Sequence, residues 1–260
     1  MNYEFCAQTH AGLLRKNNED AVTVDAAVGL SVLADGMGGY NAGEVASSMA
    51  ASIIRAELGR WLRASGAEAP SKEVRKAIDA SVGHANLAVF NAARHNPSYA
   101  GMGTTLVVAV FRDARLFLGH IGDSRCYRLR QELVQITKDH SLLQEQLDAG
   151  LITPAQAAFS TQRNLVTRAL GIEDSVLLEL NEFAVESEDI YLLCSDGLSD
   201  MVDDASIASI VRAAGSLDDK ARQLVDVANA RGGRDNITVL LVQAQSDTRR
   251  PSLMARLLRN

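Results

Sequence analysis

The sequence has 260 residues, 47% hydrophobic and 22% charged, with a net charge of −6. That balance suits a globular chain with one sizeable core and argues against a fold-wide basic surface for nucleic acid. Its three cysteines, Cys6, Cys126 and Cys194, fall at no regular spacing, which argues against a disulfide framework and a zinc site, and no apolar run approaches membrane-spanning length.

The first residues, Met1-Asn2-Tyr3-Glu4, lack a basic start followed by an apolar stretch, so no secretory signal is read and the cytoplasm is the expected compartment. Two strands are predicted over 22–27 and 30–34, around a turn at Gly29. A helix follows over 44–63, with Val45, Met49, Ile53, Leu58 and Leu62 at helical spacing. Ser71 is the expected N-cap of a second helix reaching Arg94, closed by Asn96-Pro97. Strands over 104–111 and 115–121 flank a hairpin turn, and strands over 125–129 and 133–136 flank another. Short helical patches over 140–149 and 154–159 read as an insertion. Strands resume over 176–185 and 189–194, helices over 205–213 and 217–230, and a last strand over 237–244. Strands in runs and helices in runs predict an α+β layered sandwich rather than alternating βαβ units.

One local pattern repeats along this order. The apolar run Leu30–Ala34 ends in Asp35-Gly36, the run Leu116–Ile121 ends in Gly122-Asp123, and the run Ile190–Ser195 ends in Asp196-Gly197. Asp20 and Asp235 each stand just before an apolar strand. A buried strand fixes an acid at its end without sinking it into the core, and a neighbouring glycine admits close approach of another group. Any one of these acids reads better as a turn residue or helix cap. Five in one setting point to a centre for hard divalent cations, because converging carboxylates repel unless such ions neutralise them.

The motifs around these acids resemble those of the protein phosphatase 2C family, in its order and from Arg15 to about Val242. They are Arg15-Lys16-Asn17-Asn18-Glu19-Asp20, Asp35-Gly36-Met37-Gly38-Gly39, Gly103-Thr104-Thr105, Gly122-Asp123-Ser124-Arg125, Ser195-Asp196-Gly197 and Asp235-Asn236-Ile237-Thr238. The short length and the Asp-Gly-Met-Gly-Gly form look like bacterial members. The resemblance implies a four-layer α-β-β-α sandwich with two central, mainly antiparallel sheets flanked by helices. It implies a phosphatase domain over 1–245, with a flap over about 138–169, and a basic tail over 246–260. It implies two Mn2+ or Mg2+ ions held by Asp35, the Gly36 carbonyl, Asp196 and Asp235, with Asp20 acting nearby, partly through water. A third, weaker ion would sit between Asp123 and Asp196. Arg15 would grip the substrate phosphate, and Arg15, Asp35 and Asp196 would carry the catalysis. The substrates implied are phosphoserine and phosphothreonine on proteins, in opposition to a serine/threonine kinase, with a monomeric enzyme and no nucleic-acid partner.

The residues agree with water as nucleophile: the chain has neither a nucleophilic cysteine in a phosphate-binding loop nor a Gly-x-Ser-x-Gly elbow. Arg15 suits a phosphate because its planar fork makes bidentate contacts and keeps its charge. Met37 stands where many relatives carry a proton-donating His, leaving metal-bound water as the expected acid; His120 and His140 are the nearest alternatives, though a lone histidine is more often structural and His120, inside a strand, is read as such. Two other classes fit the pattern: a pseudophosphatase that only binds a phosphorylated partner, and a hydrolase of small phosphoesters. The tail carries Arg249, Arg250, Arg256 and Arg259 among Leu253, Met254, Leu257 and Leu258. It reads first as a frayed terminus and second as an amphipathic docking element.

Overall fold

The structure, a computed structural model, describes residues 1–39, 42–66, 68–157 and 165–246. The predicted tail lies outside them beyond its first residue, as do Tyr40 and the end of the second predicted helical patch in the insertion.

Strands β1 (Asn2–His10), β2 (Asp20–Asp25) and β3 (Leu30–Met37) come first, followed by helices α1 (Ala42–Ala64) and α2 (Ser71–His95). Next come β4 (Gly103–Thr104), β5 (Leu106–Arg112), β6 (Arg115–Ile121), β7 (Arg125–Leu129) and β8 (Leu133–Gln135). Short helices α3 (Leu142–Asp148) and α4 (Pro154–Ala157) lead to β9 (Glu179–Ala184) and β10 (Ile190–Cys194). Helices α5 (Asp196–Ser199), α6 (Asp204–Arg212) and α7 (Leu217–Ala230) precede β11 (Ile237–Gln245).

The strands form two antiparallel sheets. One has the order β2-β3-β5-β6-β9, with β4 paired to β3, and the other the order β1-β11-β10-β7-β8. Helices α1 and α2 cover the first sheet, packing Ile54, Leu58, Ile78 and Val82 against Val32, Val108 and Val110. Helices α6 and α7 cover the second, packing Ile207 and Leu224 against Leu192, Val239 and Leu241. Between the sheets lie Leu33, Val107, Ala109, Phe111, Tyr191, Leu240 and Val242. Because the strands of β5 and β11 are buried on both faces, they read as unbroken apolar runs rather than alternating ones. Their successive side chains serve the helix layer and the inter-sheet layer in turn. The expected α+β four-layer sandwich is what forms.

Several local expectations differ. The strand expected over 104–111 is split into β4 and β5, the one expected from 176 begins at Glu179, and α5 was not expected. β1 was not predicted; only Tyr3, Phe5 and Ala7 of it turn toward the inter-sheet core, while Glu4 is exposed. Ser71 is the first helical residue of α2, not its cap: Pro70 holds the cap position, and the Ser71 hydroxyl accepts from Arg115 and donates to Glu182. β3 does not stop at Ala34 but runs on through Met37, because Gly36 and Met37 find partners in Thr104 and Gly103.

Candidate metal centre

The acids gather at one end of the sandwich, where both sheets present strand ends. Asp20 opens β2 and pairs directly across from Asp35 on β3. Asp123 stands in the turn between β6 and β7, Asp196 in the first turn of α5 just past β10, and Asp235 two residues before β11. Together with Arg15, Glu19, Gly36, Met37, Thr105, Leu165, Val166 and Asn236, four of the five acids line a cleft of about 440 Å³. Asp20 does not line it; it stands behind Asp35, with Oδ2 accepting from the Ser195 hydroxyl at 2.8 Å.

The backbone around these side chains is pinned from several sides. The Asp35 N–H donates to Thr105 Oγ1 at 3.0 Å, and the Asp35 carbonyl accepts from the Thr105 N–H and the Thr104 hydroxyl. Gly36 is required here: a Cβ on it would stand 2.1 Å from the Gly43 carbonyl oxygen and 2.6 Å from that of Glu19. Asn236 braces the opposite wall, accepting from the Glu19 N–H and donating to the carbonyls of Ala11 and Asn17. Arg15 Nη2 lies 2.7 Å from Asp235 Oδ2.

The electrostatics of the cluster are strained by like charge. Burial, then Asp20, Asp196, Asp123 and Asp235, hold the Asp35 carboxyl well above the usual carboxylate range. Burial, then Asp123 and Asp200, do the same to Asp196. Asp20 and Asp123 are each pushed up to about 6, chiefly by burial. Two carboxylates directly opposed on neighbouring strands are unfavourable by themselves. The Asp20 Oδ1 atom is also buried without a hydrogen-bond partner. An all-oxygen set of this kind can hold a hard, six-coordinate cation.

All the residues expected at the site thus come together, with Asp20 one layer deeper than the rest. Glu19, which lines the cleft, and Asp200, whose charge bears on both Asp123 and Asp196, were not among the expected site residues. Their signals were present: Asp196 and Asp200 are four apart on one helical face, and Glu19 adjoins Asp20. Leu165 and Val166, the apolar part of the cleft wall, were likewise not expected there. His120 and His140 are both buried and neither lines the cleft, which removes them as direct proton donors.

Residues 10–238 match the family model for protein phosphatase 2C. The chain is 41% identical over 239 residues to the serine/threonine protein phosphatase PstP of Mycobacterium tuberculosis, covering 91% of this chain but 44% of that relative's length. It is 35% identical over 247 residues to the serine/threonine phosphatase stp of Listeria innocua, covering 94% of this chain and 96% of that one. The crystal structure of the mycobacterial PstP superposes with a TM-score of 0.86 at 39% identity, over 95% of this chain and 100% of that one. A structure of the PstP catalytic domain in complex with two manganese ions superposes with a TM-score of 0.83 at 39% identity, covering 94% and 99%. The acid cluster at the sheet ends and the match along nearly the whole sequence lead to one conclusion: this chain belongs to the protein phosphatase 2C family.

Proposed function

We propose that the protein is a manganese- or magnesium-dependent phosphatase that hydrolyses phosphoserine and phosphothreonine on protein substrates. The observation that carries this reading is the convergence of Asp35, Asp123, Asp196 and Asp235 with Arg15 on one cleft, backed by Asp20. Opposed, buried carboxylates with an orphaned Asp20 oxygen are the environment that divalent cations relieve. Asp35, the Gly36 carbonyl, Asp196 and Asp235 would hold two ions, with Asp20 supporting them from behind. Asp123 with Asp196 would hold a third, weaker one. When bound, the ions supply charge neutralisation and activate water for in-line attack at phosphorus.

The chain's own residues supply orientation. Arg15, on an exposed loop, carries the guanidinium fork that would hold two phosphate oxygens. Met37 lines the cleft but has no proton to give, so it bounds the cleft without serving as an acid. Leu165 and Val166 offer an apolar wall for the side chain bearing the phosphate. Residues 1–245 would form one catalytic domain, with 138–169 as its flap and 246–260 as a basic tail. The reading extends to a monomeric cytoplasmic enzyme that opposes a serine/threonine kinase. Among the described residues no helix is long and apolar enough to cross a membrane.

The test is hydrolysis of p-nitrophenyl phosphate, a phosphothreonine peptide and small phosphorylated metabolites, each with manganese and with chelator. Manganese-dependent turnover favouring the peptide is expected. Full activity in chelator would remove the metal-dependent mechanism, and a preference for small metabolites would remove the protein substrate.

A further inference from the structure

The turn that carries Asp123 is held by a second segment lying along it. His120 Nε2 donates to the Lys138 carbonyl at 2.8 Å, and the Cys126 N–H donates to Thr137 Oγ1 at 2.9 Å. Arg125 makes a bidentate contact with Asp139, with Nη2 2.7 Å from Oδ2 and Nε 3.1 Å from Oδ1. His140 grips Gly122, the residue before Asp123, twice. The His140 N–H donates to the Gly122 carbonyl at 2.9 Å, and the Gly122 N–H donates to His140 Nδ1 at 3.1 Å. Gly122 needs that hold: its φ of +101° lies in the left-handed region, and a Cβ there would stand 2.7 Å from Thr105 Cγ2. On its far side the His140 carbonyl accepts from the Thr167 N–H at 2.8 Å, and Ser141 bridges to Val166. Val166 lines the metal cleft.

His120, His140 and Glu179 also bring their polar atoms within 4.8 Å of one another, near enough to suggest a cation site of their own. The hydrogen bonds decide against it. With Nδ1 accepting from Gly122, the neutral His140 ring carries its proton on Nε2, directed at Glu179 Oε2 3.4 Å away. A cation on Nε2 would require a doubly deprotonated ring or the loss of the Gly122 bond. Burial and the neighbouring His120 lower the pKa of His140, which keeps Nδ1 an acceptor. The ring stacks on His120, with centroids 4.7 Å apart and planes 12° from parallel, so it has little freedom to turn.

We propose that His140 is a positioning residue for Asp123: by fixing Gly122 through its Nδ1 and its backbone N–H, it sets where the Asp123 carboxylate stands and ties the root of the flap to the metal cleft. The proposal rests on Asp123 holding the weaker cation. Outer partners that orient a metal ligand typically cost 10–100-fold in metal affinity when removed. Asparagine at 140 places an amide oxygen near the Nδ1 position and keeps the acceptor, whereas glutamine carries its polar atoms out toward the Nε2 position and loses it.

The experiment titrates manganese against p-nitrophenyl phosphate hydrolysis for the full chain, His140→Asn, His140→Gln and Asp123→Asn. Melting temperatures and calorimetry of the tightly bound ions are measured in parallel. The manganese concentration for half-maximal activity is expected to rise about tenfold in His140→Gln and to stay near wild type in His140→Asn, with tight binding unmoved in both. An unmoved titration in His140→Gln, even with a lowered melting temperature, overturns the proposal and leaves His140 as packing. Equal shifts in both variants overturn the assignment to the Nδ1 acceptor. If Asp123→Asn itself leaves the titration unmoved, the reading of Asp123 fails and the proposal fails with it. If Asp123→Asn shifts the titration and His140→Gln does not, only the role of His140 is lost.

Discussion

At the scale of single residues, Asp196 and Arg15 divide the work of the cleft. Asp196 is opposed by burial and by the charges of Asp123, Asp200 and Asp235, so removing its charge relieves the metal-free protein while depriving the cations of a shared ligand. Asp196→Asn is expected to raise the melting temperature in chelator and to lower kcat at least about a hundredfold, the scale of losing a major electrostatic element. A folded variant with near wild-type kcat would contradict the assignment. Arg15 is paired with Asp235 at 2.7 Å, which makes it a cation already lodged against the acid cluster. Arg15→Ala is therefore expected to tighten manganese binding in calorimetry while lowering kcat/KM on a phosphothreonine peptide about ten- to a hundredfold, the worth of a charge-assisted phosphate contact. Lysine at this position should restore part of the loss, since its point charge lacks the fork. Weaker manganese binding with intact kinetics at saturating metal would leave Arg15 a structural neighbour only. The main acids were legible in the sequence because each adjoins an apolar run, and three of them a glycine. Glu19 and Asp200 lie close in sequence to acids that were legible, but neither borders an apolar run, and the bearing of Asp200 on Asp123 arises only when the sandwich closes.

At the scale of elements, the hairpin β7–β8 is fastened to the start of β10 by an ion pair whose acid is buried and whose arginine is partly exposed. Arg130 contacts Asp189 through Nε and Nη2, each at 2.7 Å, and the Asp189 side chain is fully buried. Burial works against the Asp189 charge, but the hydrogen bonds from Arg130 and the Glu186 N–H outweigh it and lower its pKa. Arg130→Ala would leave that carboxylate without its cation, and a loss of about 3 kcal/mol in urea unfolding is expected. A loss too small to measure would show that Tyr191 and Glu186 suffice to hold it. The elements themselves were largely readable. Helices α1, α2 and α7 announced themselves by periodicity, and β5, β6 and β11 by unbroken apolar runs. β1 escaped because Tyr3, Phe5 and Ala7 face the inter-sheet core and Cys6 the helix-covered one, while Glu4 among them is shown to solvent. The extension of β3 through Met37 escaped because it depends on pairing with β4, some seventy positions on, whose backbone supplies what local propensity does not (the Thr104 contact to Asp35 spans 69 residues).

At the scale of the whole molecule, the acids couple stability to pH and to metal. An acid whose pKa is raised on folding holds its proton more tightly in the folded state, so the metal-free fold loses stability as pH rises from the ordinary 3.8 through about 6, where Asp20 and Asp123 titrate. Asp35 and Asp196, also held well above the ordinary carboxylate range, act in the same direction. Cations take the place of those protons, so the rise in melting temperature on adding manganese is expected to be larger at about pH 7.5 than at about pH 5. An equal rise at both would show that the acids are ionised alike with and without metal.

The closing of the second sheet carries a consequence for how the protein is made. β1 pairs along its whole length with β11, so that Thr9 meets Thr238 across a separation of 229 residues. On a ribosome adding roughly 5–20 residues per second, the first strand waits on the order of ten seconds or longer for its neighbour. The sheet that starts at β2, with α1 and α2 over it, is complete in its central strands well before then and can serve as the platform. Asp235 emerges last among the acids, immediately ahead of that final strand. Throughout synthesis, then, the nascent chain holds an incomplete ligand set, and the centre is assembled only when the last strand arrives to join β1 to β10.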